Sequence, residues 1–389
     1  MLGIAHWSMG SLEPSRKAWT EGRNGLQRAG HIADVLGVSL AIADINVAQG
    51  HLRDAIQICE QSLKLASGQG SAAMRGTADM HASLGNLYRE QNDVLTAQQH
   101  MATSRELGEQ AGLPQHPYRW RVAAAALLRD AGDLDGALVL LDEAEQLYVS
   151  DFFPYVRPVA AMKARVWIAQ GRFDEALRWQ RDSGVGAGDI LSYLREFEHL
   201  TVARLLLAQN DGAGKATDLL DRLLTEATSG GRAGSVIEIL LLQALASLQA
   251  ADAADPLAPL QRALALAEPE GYVRLFVEHG ERMESLLKAT LKRGIAPVYT
   301  RKLLAAFGPA PQKVPSHPDL IEPLSDRELD VLRLLRSDLG GPEIARELMI
   351  SLNTMRTHTK SIYEKLGVNT RRSAVHRAEE LRLLARSAL

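Results

Sequence analysis

Apolar residues recur along most of this chain at the three- and four-residue intervals of amphipathic helices. The predicted helices come in pairs, because short turns containing Gly, Asn or Asp interrupt the pattern, as in "QGHLRDAIQICEQSL" and "AGDLDGALVLLDEAE". A helix that ends at Gly or Asn, followed by one with acidic residues near its positive end, is typical of a helical hairpin. The pattern predicts that residues 1–305 form a series of such hairpins.

The predicted hairpins form a repeat with a period near 40 residues. Aligning the turns places an alanine five positions after each of them, at separations of 42, 40, 39, 40 and 42 residues. Alanine has the size needed where two helices cross closely, and "MGSLEPSRKAW" looks like an earlier copy with Ser15 in that place. One hairpin cannot bury its apolar face alone, whereas stacked hairpins share a continuous core. The aligned alanines are Ala55, Ala97, Ala137, Ala176, Ala216 and Ala258.

One segment of this array carries a more specific pattern. In "SLGNLYREQNDVLTAQQHM", the residues Leu84, Gly85, Tyr88 and Ala97 resemble the tetratricopeptide consensus. That resemblance implies an all-α, tetratricopeptide-like solenoid, with helices or loops longer than those of the standard repeat of about 34 residues.

The concave surface of a solenoid usually binds a peptide, a partner domain or a small molecule. The sequence singles out no pocket on that surface, so the ligand-binding residues and the small-molecule or protein effector stay unknown. Helical spacing predicts that the larger aromatic residues belong to the core. These residues are Trp120, Trp167, Tyr193 and Phe197.

The helical pattern stops at "FGPAPQKVPSHPDLIEP", which contains five prolines. Proline has no backbone N–H and clashes with the preceding helical turn, so these residues cannot occupy helix interiors. A semi-rigid, extended linker is therefore predicted over residues 306–322, between the repeat array and a last domain at residues 323–389.

The two parts of the chain differ in charge. Residues 324–389 contain 12 Lys and Arg against 9 Asp and Glu, whereas the rest of the chain contains 32 against 38. Between residues 350 and 377 there are six basic residues and one acidic residue. A polyanion would be attracted to this short C-terminal stretch and repelled by the repeat array.

Four short helices are predicted within this basic end. The first, in "LSDRELDVLRLL", starts at a capping box made of Ser325 and Glu328. The second, in "GPEIARELM", has Pro342 at the predicted first helical position, where its missing N–H does no harm. After a tight turn comes "SLNTMRTHTKSIYEKLGV", and "RRSAVHRAEELRLLA" closes the domain. Two short helices joined by a tight turn indicate a helix-turn-helix unit.

The third of these helices has two unlike sides. Spacing of three and four residues puts Met355, Thr359, Ile362 and Leu366 on a core-facing side. The opposite side carries cationic and small polar residues and is predicted to face solvent, as in a helix-turn-helix unit. Those residues are Arg356, Thr357, Lys360 and Glu364.

Position by position, this last domain resembles the LuxR/FixJ-type DNA-binding domain. The resemblance covers about 65 residues without a gap, through "LSDRELDVLRLL", "EIARELMIS", "NTMRTHTKSIYEKLGV" and "NTRRSAVHRA". Two positions depart from the family: Gly341 and Pro342 replace the usual Asn-Lys, and Met355 replaces a usual valine. Neither departure removes the positions that read bases.

The resemblance implies roles for individual side chains on double-stranded DNA. Arg356, Thr357 and Lys360 are expected to contact bases, since Arg and Lys donate to guanine and a Thr methyl meets that of thymine. Thr354 is expected to contact a phosphate near the helix N-terminus, and Lys365, Arg371 and Arg372 are weaker phosphate candidates. The fourth helix is the dimer surface of that family, which implies a homodimer on DNA. Its matching residues are Ala374, Val375 and Ala378.

A tetratricopeptide-like array joined to a LuxR-type domain resembles the large ATP-binding LuxR regulators, the MalT-like family. "RALALAEPEGYVRLFVEHGERMESLLK" is similar to the end of that family's repeat region. Members normally carry a nucleotide-binding module before the repeats, but "NDGAGKAT" lacks the first glycine of a P-loop and is assigned to a hairpin turn. The chain is either the C-terminal portion of a longer regulator or a shortened member without nucleotide control, and we favour the second.

The sequence offers little for catalysis. Motifs of metalloproteases, serine hydrolases and dithiol enzymes are missing, and the single cysteine, Cys59, falls in a helical apolar pattern that predicts burial. We therefore predict a non-enzyme without cofactor or metal, placed in the cytoplasm and away from membranes. The main hypothesis is a sequence-specific transcriptional regulator whose repeats sense a ligand or protein partner. The alternative is a solenoid interaction scaffold with the C-terminal domain as a docking module.

Overall fold

The chain divides into two compact units, Met1–Gly308 and Pro309–Leu389. A computed structural model describes residues 2–69, 74–150, 153–209, 212–249, 255–308, 326–337, 339–347, 352–366, 368 and 370–380. Each unit has its own hydrophobic core. Most of the predicted linker lies outside the described residues.

The first unit is an array of helices, each packed chiefly against its neighbours in the chain. The helices are α1 (Leu2–Ser8), α2 (Leu12–Arg28), α3 (Ile32–Ala48), α4 (Leu52–Ser67), α5 (Thr77–Glu90), α6 (Val94–Ala111), α7 (His116–Asp130), α8 (Leu134–Leu147), α9 (Val159–Ala169), α10 (Phe173–Ser183), α11 (Glu196–Ala208), α12 (Ala213–Ser229), α13 (Ala233–Gln249), α14 (Leu257–Ala267), α15 (Arg274–Val277), α16 (Gly280–Lys292) and α17 (Pro297–Ala305), with a 3-10 turn (Tyr193–Arg195) before α11.

The predicted hairpin turns are formed as the residue types suggest. Gly50 and Asn92 end α3 and α5 in the left-handed region, with φ of +84° and +63°. Glycine enters this region without strain and asparagine tolerates it. Asp93 then caps α6, because its Oδ1 accepts a hydrogen bond from the Thr96 backbone N–H at 3.1 Å. Asp133 caps α8 in the same way.

The repeating alanine is buried at all but one of its predicted positions. Ala55, Ala97, Ala137, Ala176, Ala216 and the substituted Ser15 are fully buried. Ala258 is exposed, so the predicted alignment is wrong there. Seven residues separate α13 from α14, whereas three or four separate the helices of each earlier pair, and α14 begins at Leu257 as α4 begins at Leu52. The buried position equivalent to Ala55 is consequently Leu260.

Elements far apart in the sequence also meet, so the array closes around an interior. Helix α3 packs on α13, and the Trp7 indole N–H donates to the Tyr193 hydroxyl at 3.1 Å. The segment at α15 returns to the end of α5, where the Val273 N–H donates to the Glu90 carbonyl at 2.9 Å. The Leu275 N–H donates to the Glu90 carboxylate at 2.7 Å.

A chain of ion pairs runs through this interior. From the α5 end, Arg89 pairs with Asp130 at 2.6 Å, and Asp130 also accepts from Arg129 and Arg274. Arg129 also pairs with Glu278, and Glu278 pairs with Arg204. Arg204 in turn pairs with Glu238, which pairs with Arg165 on α9. We call these side chains the interior charge network. Its members are Arg89, Glu90, Arg129, Asp130, Arg165, Arg204, Glu238, Arg274 and Glu278.

In the part of the second unit that the structure describes, four helices surround a small core. Val331, Leu332, Ile344, Ile362 and Ala378 are among its buried residues. The helices are α18 (Asp326–Leu335), α19 (Gly341–Glu347), α20 (Leu352–Leu366) and α21 (Arg371–Glu380).

The predicted fold class is confirmed, because the secondary structure of the described residues is helical throughout and contains no strand. The predicted burial of Cys59 is confirmed as well, and desolvation raises the pKa of its thiol to about 12. None of the helices in the described ranges is long and apolar enough to span a membrane.

Removing one carboxylate of the interior charge network should destabilise the first unit. Burial opposes charge on Glu278, but Arg204 and Arg129 outweigh it and hold the pKa of this carboxyl well below its usual range. Replacing Glu278 with Gln leaves buried guanidinium charge uncompensated. We expect Glu278→Gln to lower the free energy of unfolding by about 3 kcal/mol. Thermal or urea unfolding of the full chain measures this difference.

The matched control for that change is Glu175→Gln, which breaks an exposed ion pair with Arg172 at 2.7 Å. Solvent screens such a pair, so the melting temperature should not change. Equal destabilisation by the two substitutions would contradict a structural role for the interior charge network.

Stability should also fall in mild acid. The Nε2 of His279 is shielded and has no hydrogen-bond partner among the described residues. Desolvation, helped by Arg204, lowers the pKa of this ring from 6.5 to about 4. The unfolded chain therefore binds more protons between these values, and the folded state loses stability as pH falls from about 6.5 to 4. The loss from this ring amounts to about 2–3 kcal/mol over that window.

Urea unfolding at several pH values tests this prediction. His279→Phe should flatten the pH dependence between about 4 and 6.5, whereas His31→Phe, at an exposed position, should leave it as in the parent chain. An unchanged slope in His279→Phe would show that other groups cause the acid sensitivity.

Candidate nucleic-acid interface

Helix α20 is held in the second unit by its apolar side. Met355, Ile362 and Leu366 are each at most 5% exposed, which confirms the predicted core-facing stripe. Thr359 is partly buried, and its hydroxyl donates to the Met355 carbonyl at 2.9 Å within the same helix. Because these residues face the core, the orientation of α20 about its axis is set by packing.

The opposite side of α20 presents cations. Arg356 and Lys360 are both exposed, and their i, i+4 spacing places them one helical turn apart, with Cβ atoms about 6 Å from each other. Thr354 and Thr357 belong to the same helix, but their side chains lie outside the described residues. Thr354 occupies the first turn of α20, where backbone N–H groups lack partners within the helix and favour an anion.

Polar contacts between α18 and α20 hold the cationic helix in place. The carboxylate of Glu328, on α18, is buried and accepts from the Lys365 ammonium at 3.0 Å and from the Ser361 hydroxyl. Ser325, the predicted partner of Glu328 in a capping box, lies outside the described residues. Lys365 therefore helps to join α18 to α20, and a phosphate contact by it requires an exchange of this partner.

The Arg371 guanidinium is also engaged within the unit. It donates to the carbonyl groups of Leu335 at 2.8 Å and Leu339 at 2.7 Å, and to those of Leu334 and Ser337. The last carbonyl groups of a helix have no partner within it, and a cation there also meets the negative end of the helix dipole. Arg371 thus caps α18, whereas its neighbour Arg372 is exposed.

The predicted dimer residues differ in their surroundings on α21. Ala374 and Ala378 are fully buried in the core of this unit, and Val375 is partly buried beside it. The exposed side of the same helix carries Arg372 and His376. Surface available to a second copy on α21 lies on that side and at Val375.

Helix α19 begins at the Gly341-Pro342 pair noted in the sequence. The Glu343 carboxylate accepts from the Gly340 N–H at 2.6 Å, which closes the N-terminus of the helix with a charge-assisted bond. The Glu343 carboxylate therefore occupies the N-terminus of α19, and its negative charge disfavours a phosphate there.

Comparison with known proteins matches both parts of the chain. Residues 1–293 match the family described as the MalT-like TPR region. The chain belongs to this MalT-like family. Residues 322–378 match the family described as bacterial regulatory proteins, luxR family, so the predicted combination of a MalT-like repeat region and a LuxR-type helix-turn-helix domain is confirmed.

One relative is the HTH-type transcriptional regulator MalT of Serratia proteamaculans (strain 568). It is 27% identical to this chain over 274 residues, which is 64% of this chain and 30% of the relative. The match thus spans less than a third of that regulator.

The roles of Arg371 and Arg372 should separate on substitution. Arg371→Ala leaves several carbonyl groups at the end of α18 without a donor, and we expect it to lower the stability of the second unit by about 2–3 kcal/mol. Native-state hydrogen exchange of α18 and α20 amides measures this change. The adjacent Arg372→Ala is the matched control, because the exposed side chain can be removed with little effect on exchange. Equal exchange rates in the two variants would refute the capping role.

Proposed function

We propose that this protein is a sequence-specific, DNA-binding transcriptional regulator. The observation that supports this most directly is the exposed pair Arg356 and Lys360, held on one side of a helix whose other side is buried in a unit that matches the LuxR family. A helix fixed in this way presents the same cationic edge to every duplex it meets. That rigidity is needed if individual bases are to be distinguished.

In this proposal α20 enters the major groove. Arg356 donates to guanine O6 and N7, Lys360 reaches a guanine or a phosphate, and Thr357 contacts a thymine methyl group. Thr354, in the first turn of the helix, and the exposed Arg372 contact phosphates and fix the register of the protein on the duplex. Lys365 and Arg371 act from within the unit by holding α20 and α18 in place.

The protein binds its site as a homodimer in this proposal. Two copies joined through α21 at Val375 would place two recognition helices on successive turns of one DNA face. The operator would then be palindromic, because a two-fold protein reads the same sequence on both strands.

The repeat unit acts as the sensor that controls this binding. Its helices enclose an interior, and parts distant in sequence meet around it, so an effector bound there contacts many repeats at once. The named MalT relative is a transcriptional regulator, and the shared repeat region supports a regulatory role for this array.

Removing the cationic edge should abolish sequence discrimination. We expect Arg356→Ala with Lys360→Ala to weaken binding to a selected site by about 100-fold, at about 1–3 kcal/mol for each base contact. Sites are first selected from a random duplex pool with the full chain, and titrations at several salt concentrations then compare the variants. Each lost phosphate contact lowers the salt slope by about 0.9.

The matched control is Arg336→Ala, which removes an exposed cation of the same unit from outside α20. It should retain the preference for the selected site. If the double variant binds and discriminates like the parent chain, the assignment of α20 as the reading helix fails. If no sequence is enriched from the pool, the proposal of specific DNA binding fails, and the scaffold alternative gains support.

A further inference from the structure

The interior of the repeat unit contains a cavity of about 430 Å³. This volume is within the range of sites that hold small organic molecules. Part of its wall is aromatic: Tyr148 stacks on Tyr155, with ring centroids 4.2 Å apart, and meets Tyr118 edge to face at 5.2 Å. Phe197 lies in the wall as well. Such a wall suits a flat, apolar ring.

One arginine in the cavity wall is not fully satisfied. The Arg165 side chain is 9% exposed; its Nε donates to the Thr201 hydroxyl at 3.0 Å, and its Nη1 pairs with Glu238 at 2.9 Å. Its Nη2 has no hydrogen-bond partner among the described residues and is shielded from solvent. A buried donor without an acceptor is unfavourable, and more so when it carries charge.

Arg165 also shares its carboxylate partner with a second arginine. Arg204 pairs with both Glu278 and Glu238, which together overcome desolvation and raise its pKa. Arg165 shares Glu238 with Arg204, and desolvation lowers the pKa of Arg165 to about 9. Glu238 is therefore divided between two arginines, and the donor that lacks an acceptor belongs to Arg165.

A second guanidinium stands near the same place. Arg157 lines the cavity and is exposed, with its guanidinium carbon 5.6 Å from the centre of the Phe197 ring. The Arg165 guanidinium carbon lies 3.8 Å from the centre of that ring. Two guanidinium groups therefore lie close to one aromatic ring, beside the wall of tyrosines.

We infer that the cavity binds an aromatic monocarboxylate, with its carboxylate at Arg165 and Arg157 and its ring against the tyrosines. The carboxylate supplies the acceptor that Arg165 Nη2 lacks, after a small displacement of the side chains that cover this atom. Carboxylates such as Glu196 and Glu238 also line the cavity, so the higher negative charge of a phosphate monoester is less favourable there than that of a monocarboxylate. This inference rests on the proposed sensing role of the repeat unit and names the class of its effector.

Calorimetric titration of the full chain tests the inference with 3-phenylpropanoate and indole-3-acetate as probes, and with the amide of each as the uncharged control. We expect saturable binding of at least one carboxylate and at least a 30-fold weaker affinity of its amide, because the amide lacks the charge. Arg165→Met should weaken carboxylate binding by about 30-fold or more, and it leaves Glu238 paired with Arg204. Arg172→Met, at an exposed hairpin turn, should bind like the parent chain.

Arg157→Met provides a second variant, because this exposed side chain can be removed without disturbing the fold, and it should also weaken carboxylate binding. Failure of both carboxylates to bind would overturn the inference, as would unchanged affinity in both cavity variants. Equal binding of an acid and its amide would overturn the choice of an anion while preserving a sensory role for the cavity. DNA selection by the same preparation is measured separately, so loss of the proposed DNA-binding function gives a different result.

Discussion

The charged side chains inside the repeat unit can be buried only together. Each guanidinium or carboxylate that leaves water needs a partner of opposite charge, and removing one partner leaves the other buried and unpaired. Arg89, Asp130, Arg204 and Glu238 come from four different helices of the array. The positions of these helices are thereby tied to one another, although repeats in a solenoid otherwise contact only their neighbours. The closed form of the array depends on this mutual compensation.

This constraint would let the proposed effector, bound in the interior, influence the whole array. A linear stack of hairpins transmits a local contact only to the next hairpin. In this unit a change in charge at α9 alters the compensation of Glu238 on α13 and, through Arg204 and Glu278, that of Arg129 on α7. The proposed ligand would stabilise this arrangement only by as much as it binds it more tightly than any other arrangement of the chain.

The sequence predicts the repeat but reveals less of its interior. Hairpin turns and small residues leave a periodic pattern in the sequence, and this pattern predicts the buried alanines from Ala55 to Ala216. The greater number of residues between α13 and α14 breaks the period, so the last alignment falls on the exposed Ala258. The interior charge network has a weaker signal. Arg89-Glu90 and Arg129-Asp130 occupy the same place, directly before a hairpin turn, in successive repeats. Their partners Arg274 and Glu278 reach them only because the array closes, and no local sequence pattern encodes that closure.

The same limit applies to the basic C-terminal stretch, where residue type alone does not separate an exposed arginine from one that stabilises the fold. Arg356 and Arg371 both belong to the cationic stretch, yet Arg356 projects from a helix whose other side is buried, whereas Arg371 donates to carbonyl groups at the end of α18. An arginine that already satisfies helix carbonyl groups has little to gain from a phosphate, since binding would exchange one set of acceptors for another. Burial and partners, more than net charge, therefore decide which cations of a helix-turn-helix unit are available to DNA.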